Sequence, residues 1–418
     1  MSEDFFSHYI PYSCESTEVP KWFARWSAIV GIGAILGRQY HFQFGHFNIN
    51  PNIYCFLIGS PGTKKGTAIK ILKKVMGAAG YETFASERTS KEKFLADMAG
   101  EGDFGIKSVE DLLDENLFGS DDAGKDDEMF IAIDEINDFI GVGNIEFISM
   151  LGNLWDHNGK YEHKIKTGKS ICVSNPTISI LGGNTPQGLS IAFPPEVIGQ
   201  GFFSRLQLIY GEPSGKQVTF PEPPDPKATK ELVEYFRRIK AECYGTAEVT
   251  GTAKKLLDKI YRAPRFTGDP RFEAYFNRRL SHLIKLCLVT SAARCSKTIT
   301  ETDVIHANTV LNLAEQLMPK ALGQFGKAKN SDVAHKVIQI LEASDGIVEI
   351  KGIWKAVSND LEKMADLNQI LQNLLAADKI QIVPGGRGFL PKRKLVDQID
   401  SSMIDTSYLT EEELRISK

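Results

Sequence analysis

Cysteine is scarce and scattered in this chain. Its 418 residues carry six thiols, Cys14, Cys55, Cys172, Cys243, Cys287 and Cys295, and no C-x-x-C pair, so no zinc site is written in their spacing. Cys55, Cys172 and Cys287 fall inside apolar runs and are expected as buried thiols in a reducing, cytoplasmic setting. Long apolar runs are missing as well. Trp26–Leu36 is too short to span a bilayer and is flanked by Arg25 and Arg38; with no signal peptide, no membrane partner is expected. An excess of positive charge is absent: the net charge is −4, so any nucleic-acid contact must come from local basic patches. There is no internal repeat. What remains, 42% hydrophobic and 24% charged residues, is ordinary for a globular protein of two or three domains.

The organising stretch is Asn52–Thr67. Ile53–Ile58 reads as a buried strand, Gly59-Ser60-Pro61-Gly62 as a tight turn, and Ile69, Leu72, Val75 and Met76 as one face of a helix starting near Thr67. Strand, glycine turn, lysine and helix together make a phosphate cradle: turn and helix N–H groups face the phosphates and a lysine neutralises them. Against the pattern G-x-x-x-x-G-K-[ST], Gly59 comes first, Lys64 stands at the second glycine, Lys65 at the lysine and Gly66 at the Ser/Thr that would hold Mg²⁺; Thr67 comes one residue late. Gly59, Pro61, Gly62, Thr63, Lys64, Lys65, Gly66 and Thr67 are the candidate nucleotide-binding residues. A lysine-bearing surface turn is the plainer alternative.

Met129–Ile133 is a second apolar run, leading into Asp134-Glu135. In P-loop ATPases the first acid holds the Mg²⁺ shell and the second orients the attacking water. Asp134, with Thr67, is therefore the candidate metal residue and Glu135 the candidate catalytic one. Residues 118–128 are acidic and read as a solvated loop rather than a metal site. Residues 160–174 read as a β-hairpin turning at Thr167-Gly168, with Lys164, Lys166 and Lys169 at its tip. Those lysines either grip a phosphate backbone or simply solubilise a loop. Thr177–Asn184 is another buried strand, and Asn184 either holds a water beside the γ-phosphate or opens the turn before Pro186. Arg205 heads the strand Leu206–Tyr210, as an arginine finger or as a surface residue.

The chain divides into a helical N-terminal segment (1–50) packed on the core, an ATPase core (51–212), a proline-rich boundary, a helical lid (228–322), a compact unit (331–394) and an acidic, unordered tail (395–418). Within 1–50, residues 1–17 read as polar and loose, with Phe5, Phe6 and Tyr9 able to dock, and Gly33 is placed to allow a close backbone approach to the helix 19–37. Arg278 and Arg279 head a lid helix, and Thr300–Asp303 reads as a capped helix start. The 331–394 unit has the element order of a winged helix, with Arg387 at a glycine-rich wing. It binds either DNA or protein.

These motifs, in this order over residues 20–320, resemble AAA+ ATPases with a hairpin before the Asn strand, a group that includes superfamily 3 viral and minichromosome maintenance helicases. The nearest likeness is to phage- and plasmid-borne putative replicative helicases, through Asn52–Lys65, Asp134-Glu135, Leu181–Pro186 and Gly201–Leu206. The resemblance implies an α/β, AAA+-like P-loop core with a helical lid, followed by a small winged-helix domain. It gives Lys65 the β/γ-phosphates, Asp134 the Mg²⁺, Glu135 the water, Asn184 the sensor-1 role, Arg205 the finger and Arg278 the sensor-2 role. The expected function is an ATP- and Mg²⁺-dependent DNA helicase or translocase of a mobile element. It would act as a ring, a hexamer, on single- or double-stranded DNA, with a primase or another replication protein as a possible partner. Two rivals are a nucleotide-switched helicase loader or adaptor with little hydrolysis, and an origin-recognition protein whose ATPase only assembles it.

Overall fold

In the computed structural model, the described residues are 4–100, 127–164, 170–193, 201–263, 270–323, 331–344, 346–361, 363–376, 380–383, 388–391, 401–407 and 409–416. The chain is a mixed α/β protein that separates into two compact units, one of residues 1–261, 274–323 and 400–418 and the other of 262–273 and 324–399.

The first unit is built on a four-stranded parallel sheet in the spatial order Glu128–Ile133, Thr177–Asn184, Tyr54–Ile58, Leu206–Tyr210. Nearly every residue of these strands is buried, as parallel strands covered on both faces must be. Phe84 adds a single parallel bridge to Phe130. The register fixes the edges of the sheet. Ile58 stands level with Asn184 and Tyr210, and Tyr54 with Ile180 and Leu206.

The helix Lys21–Leu36 is buried from Trp22 to Leu36 and needs small residues to pack so closely. A Cβ at Gly33 would overlap the Pro51 carbonyl oxygen, so the anticipated close approach is real. The Thr300 capping box forms, with Asp303 Oδ2 accepting from Thr300 N at 2.7 Å. The helices expected as a separate lid, Pro226–Glu242, Gly251–Arg262, Arg279–Ala292 and Glu301–Leu322, fall, apart from Arg262, in the same compact unit as the sheet.

Both chain ends correct the sequence reading. Residues 1–17, expected to be loose but with Phe5, Phe6 and Tyr9 able to dock, include the helix Phe5–Cys14, which buries those three rings and Ile10. The tail, expected to be unordered, includes the helix Glu411–Ile416. Within it Glu413 is fully buried, and its carboxylate accepts from Arg25 Nε at 2.6 Å and Nη2 at 3.0 Å. Met403 O accepts from Asn308 Nδ2 at 2.9 Å, which ties the tail down a second time. Glu413→Ala leaves the Arg25 guanidinium buried without its carboxylate. The expected cost is about 3–5 kcal/mol, read as a shift in the urea unfolding midpoint; a paired Arg25→Met, Glu413→Leu replacement should recover much of it.

The second unit contains the helices Ser331–Glu342, Ile350–Val357 and Met364–Ala376, followed by the antiparallel strands Ile380–Ile382 and Phe389–Pro391. Val348 bridges Phe389 as a third, one-residue strand. Val337, Leu341, Ile353, Val357, Leu367 and Ile380 form its core. Arg387 lies outside the described residues.

Candidate functional site

The turn after the strand Tyr54–Ile58 is shaped by two unusual backbone positions. Gly62 has φ +85°, which only glycine adopts without strain, and Lys64 has φ +60° as the N-cap of the helix Lys65–Ala78. Lys64 offers no side-chain cap to that helix, so the first-turn N–H groups are left for an outside acceptor. Lys64 turns away: its Nζ lies 2.9 Å from Glu18 Oε2, so it is not aimed at the loop. Lys65 turns inward and is buried. Its Nζ donates to Gly59 O at 2.8 Å, Ser60 O at 2.9 Å and Thr63 Oγ1 at 3.2 Å, which draws the turn around the ammonium. Burial lowers its pKa, and the charge of Glu135 acts against that shift.

The sheet order places Asn184 and Asp134 beside this loop. Gly59 N donates to Asn184 O at 3.3 Å. Asp134 follows the edge strand Glu128–Ile133, and its carboxylate reaches the loop helix because position 66 is glycine. A Cβ on Gly66 would stand 2.7 Å from Asp134 Oδ2. The residue that breaks the expected loop pattern is thus the one that seats the acid. Asp134 Oδ2 also pairs with Lys70 Nζ at 2.5 Å, a partner that sequence reasoning missed. A Cβ on Gly183 would overlap the Asp134 carbonyl oxygen, which explains the glycine next to Asn184. Asn184 is buried; it donates to Asn137 Oδ1 at 2.8 Å and accepts from Thr185 N at 2.8 Å. Glu135 is exposed at the start of the short helix Ile136–Ile140, and Thr67 lies half-buried in the first turn of the loop helix. Among the described residues no group of three or more His, Cys, Asp or Glu side chains is arranged to hold a metal. A Mg²⁺ ion that arrives with a triphosphate needs only one or two carboxylates, and Asp134 fits that role.

Arg205 and Arg278 are brought together, but not here. Arg205 precedes its strand, at the opposite edge of the sheet from the loop. Five strand residues at ~3.3 Å each put roughly 17 Å between the two edges. Arg205 Nη1 donates to Gly201 O at 2.7 Å, and Arg205 Nη2 lies 3.6 Å from Asp156 Oδ1. Arg278 Nη1 lies 3.7 Å from the other oxygen of Asp156. Burial and the neighbouring Arg278 lower the pKa of Arg205. The hairpin of sequence reasoning forms, Lys160–Lys164 pairing antiparallel with Ser170–Ser174, and Lys164 is exposed on it. Lys166, Lys169 and the turn lie outside the described residues, as do residues 118–126.

A buried lysine near the arginine pair gave no sequence signal. Lys285 Nζ donates to Asn50 O at 2.7 Å and Asn52 Oδ1 at 2.6 Å, and sits 4.4 Å from the centre of the Trp155 ring. Burial pushes its pKa down to about 7, opposed by the charge of Asp156. Above about pH 7 the folded protein releases a proton that the unfolded chain keeps to about 10.5, so the unfolded state binds more protons and stability rises with pH. The window closes near 9, where buried thiols such as Cys55, held protonated by burial, act in the opposite sense. Unfolding free energy measured between these limits should climb in the wild type, and Lys285→Met should flatten the climb.

No protein-family model matches the chain, and no curated protein matches it. Among the described residues, no helix is long and apolar enough to cross a membrane.

Proposed function

We propose that the chain is an ATP-dependent DNA translocase or helicase with a P-loop core, working as a ring in which each nucleotide lies between two protomers. The observation that carries this is the division of polar and charged groups between the two strand ends of the sheet. Lys65, Asp134 and Asn184 gather at one end, and Arg205 and Arg278 gather at the other. Arginines so far from their own loop serve a phosphate only when a second copy presents its loop to them.

At that boundary the turn and first-turn N–H groups hold the phosphates, and Lys65 exchanges its loop carbonyls for phosphate oxygens. Asp134 would hold a Mg²⁺ ion, which would supply charge neutralisation at the phosphates. Glu135 orients the attacking water and takes its proton, and Asn184 fixes the water's position from the adjacent strand. Arg205 stabilises charge on the transferring phosphoryl group. The cationic hairpin follows the DNA backbone. The second unit's order of three helices and a two-stranded hairpin supports a winged helix.

A nucleotide-switched loader is the second reading, favoured by Gly66 in place of the Mg²⁺-binding hydroxyl and by the three acceptors already around Lys65 Nζ. Steady-state turnover with and without single-stranded DNA separates the two. The motor requires Mg²⁺-dependent turnover that DNA accelerates. Tight ATP binding without turnover selects the loader, and absence of ATP binding removes both.

A further inference from the structure

The segment Trp155–Asn158 joins the helix Ile145–Leu154 to the hairpin, and different parts of the fold hold its residues. Trp155 O accepts from Asn52 Nδ2 at 2.9 Å, while its ring faces Lys285 Nζ and, at 5.8 Å, the Arg205 guanidinium. Asp156 faces Arg205 and Arg278. His157 O and Asn158 Oδ1 accept from Arg38, the latter at 2.9 Å. Arg38 Nε also reaches Asn175 O at 2.9 Å and Thr177 Oγ1 at 2.6 Å, so one guanidinium clamps both feet of the hairpin.

The attachment at Asp156 differs from its neighbours. Its ion pairs are long, 3.6 and 3.7 Å, and its side chain is 51% exposed. Two cations share one carboxylate, and the buried Arg205 Nε makes no hydrogen bond among the described residues. Ion pairs this long, on a carboxylate half open to solvent, are weak, and a polyphosphate carrying several charges would compete with Asp156 for both guanidinium groups.

We propose that Asp156 is a positioning residue that couples the arginine pair to the hairpin. It holds Arg205 and Arg278 until a neighbouring protomer's triphosphate draws them off. Its carboxylate then loses both cations one residue away from the Arg38 clamp, and the feet of the hairpin shift in response. This rests on the proposed motor, since it takes the arginine pair to act across a protomer boundary.

The test is Asp156→Asn in the full chain, which keeps the shape and removes the charge. Turnover without DNA should rise, and the ratio of DNA-stimulated to DNA-free turnover should fall by about 5-fold or more, as for an ordinary coupling that has been lost. Asp156→Glu should restore that ratio. A merely structural role lowers both rates in parallel together with the thermal midpoint, and that result overturns the proposal, as does an unchanged ratio. A second measurement needs no Asp156 variant. Adding Mg²⁺ and a non-hydrolysable ATP analogue to the wild type should change the tryptophan emission, and Trp155→Phe should abolish the change. Emission that does not respond in protein that binds the analogue also overturns it. If the wild type turns over nucleotide without responding to DNA, only this coupling falls; if it binds no nucleotide, the motor falls first.

Discussion

Lys65→Ala is expected to lower nucleotide turnover by about 10²–10³-fold, the usual loss when one donor to a developing negative charge is removed. The ammonium is buried at the centre of the turn and makes three hydrogen bonds within it. Its removal takes away the group that shapes the loop and, on the proposed reading, the charge opposite the phosphates. Glu135→Gln should cause a loss of similar size while ATP binding persists, because the amide cannot take the proton from water. Lys64 is the internal control. Its Nζ is engaged with Glu18 outside the loop, so Lys64→Ala should change turnover by no more than about twofold. Equal losses at 64 and 65 would mean that the loop binds phosphate in a different geometry.

Arg205→Ala should reduce turnover by about 10³-fold or more, the ordinary contribution of an arginine supplied to a phosphoryl-transfer site. The decisive version mixes two inactive proteins. In an assembly of Lys65→Ala and Arg205→Ala protomers, some boundaries join an intact loop to an intact arginine, so the mixture should regain turnover that neither protein has alone. On the proposed ring reading, the position of Arg205 at the far end of its own sheet predicts this result. A mixture as inactive as its components would place the arginine outside the reaction.

The sheet was legible because its strands are continuous apolar runs, and helix ends marked by local chemistry were legible too. Thr300 forms its capping box, and Gly33 admits the Pro51 carbonyl. What escaped depends on residues far apart in the chain. Arg25 and Glu413 are 388 positions apart, and an acidic tail carries no sign that one of its carboxylates will be buried. Lys285 sits in an apolar helix pattern, and only the fold reveals its acceptors at Asn50 and Asn52. The motif at Arg278 marks a helix start but not the edge of the sheet it faces, so its meeting with Arg205 at Asp156 was not readable. Gly66 departs from the expected loop pattern in the sequence, and only the fold shows the Asp134 carboxylate lying against it.

The most direct test is the structure of the full chain bound to Mg²⁺ and a non-hydrolysable ATP analogue, determined by electron microscopy of single particles. The account predicts a closed ring with the β- and γ-phosphates in the turn 59–66, Lys65 Nζ moved from its carbonyl partners onto phosphate, and Arg205 of the adjacent protomer at the γ-phosphate. A nucleotide bound elsewhere, or a ring in which Arg205 stays on Asp156 with the neighbouring loop filled, would contradict it.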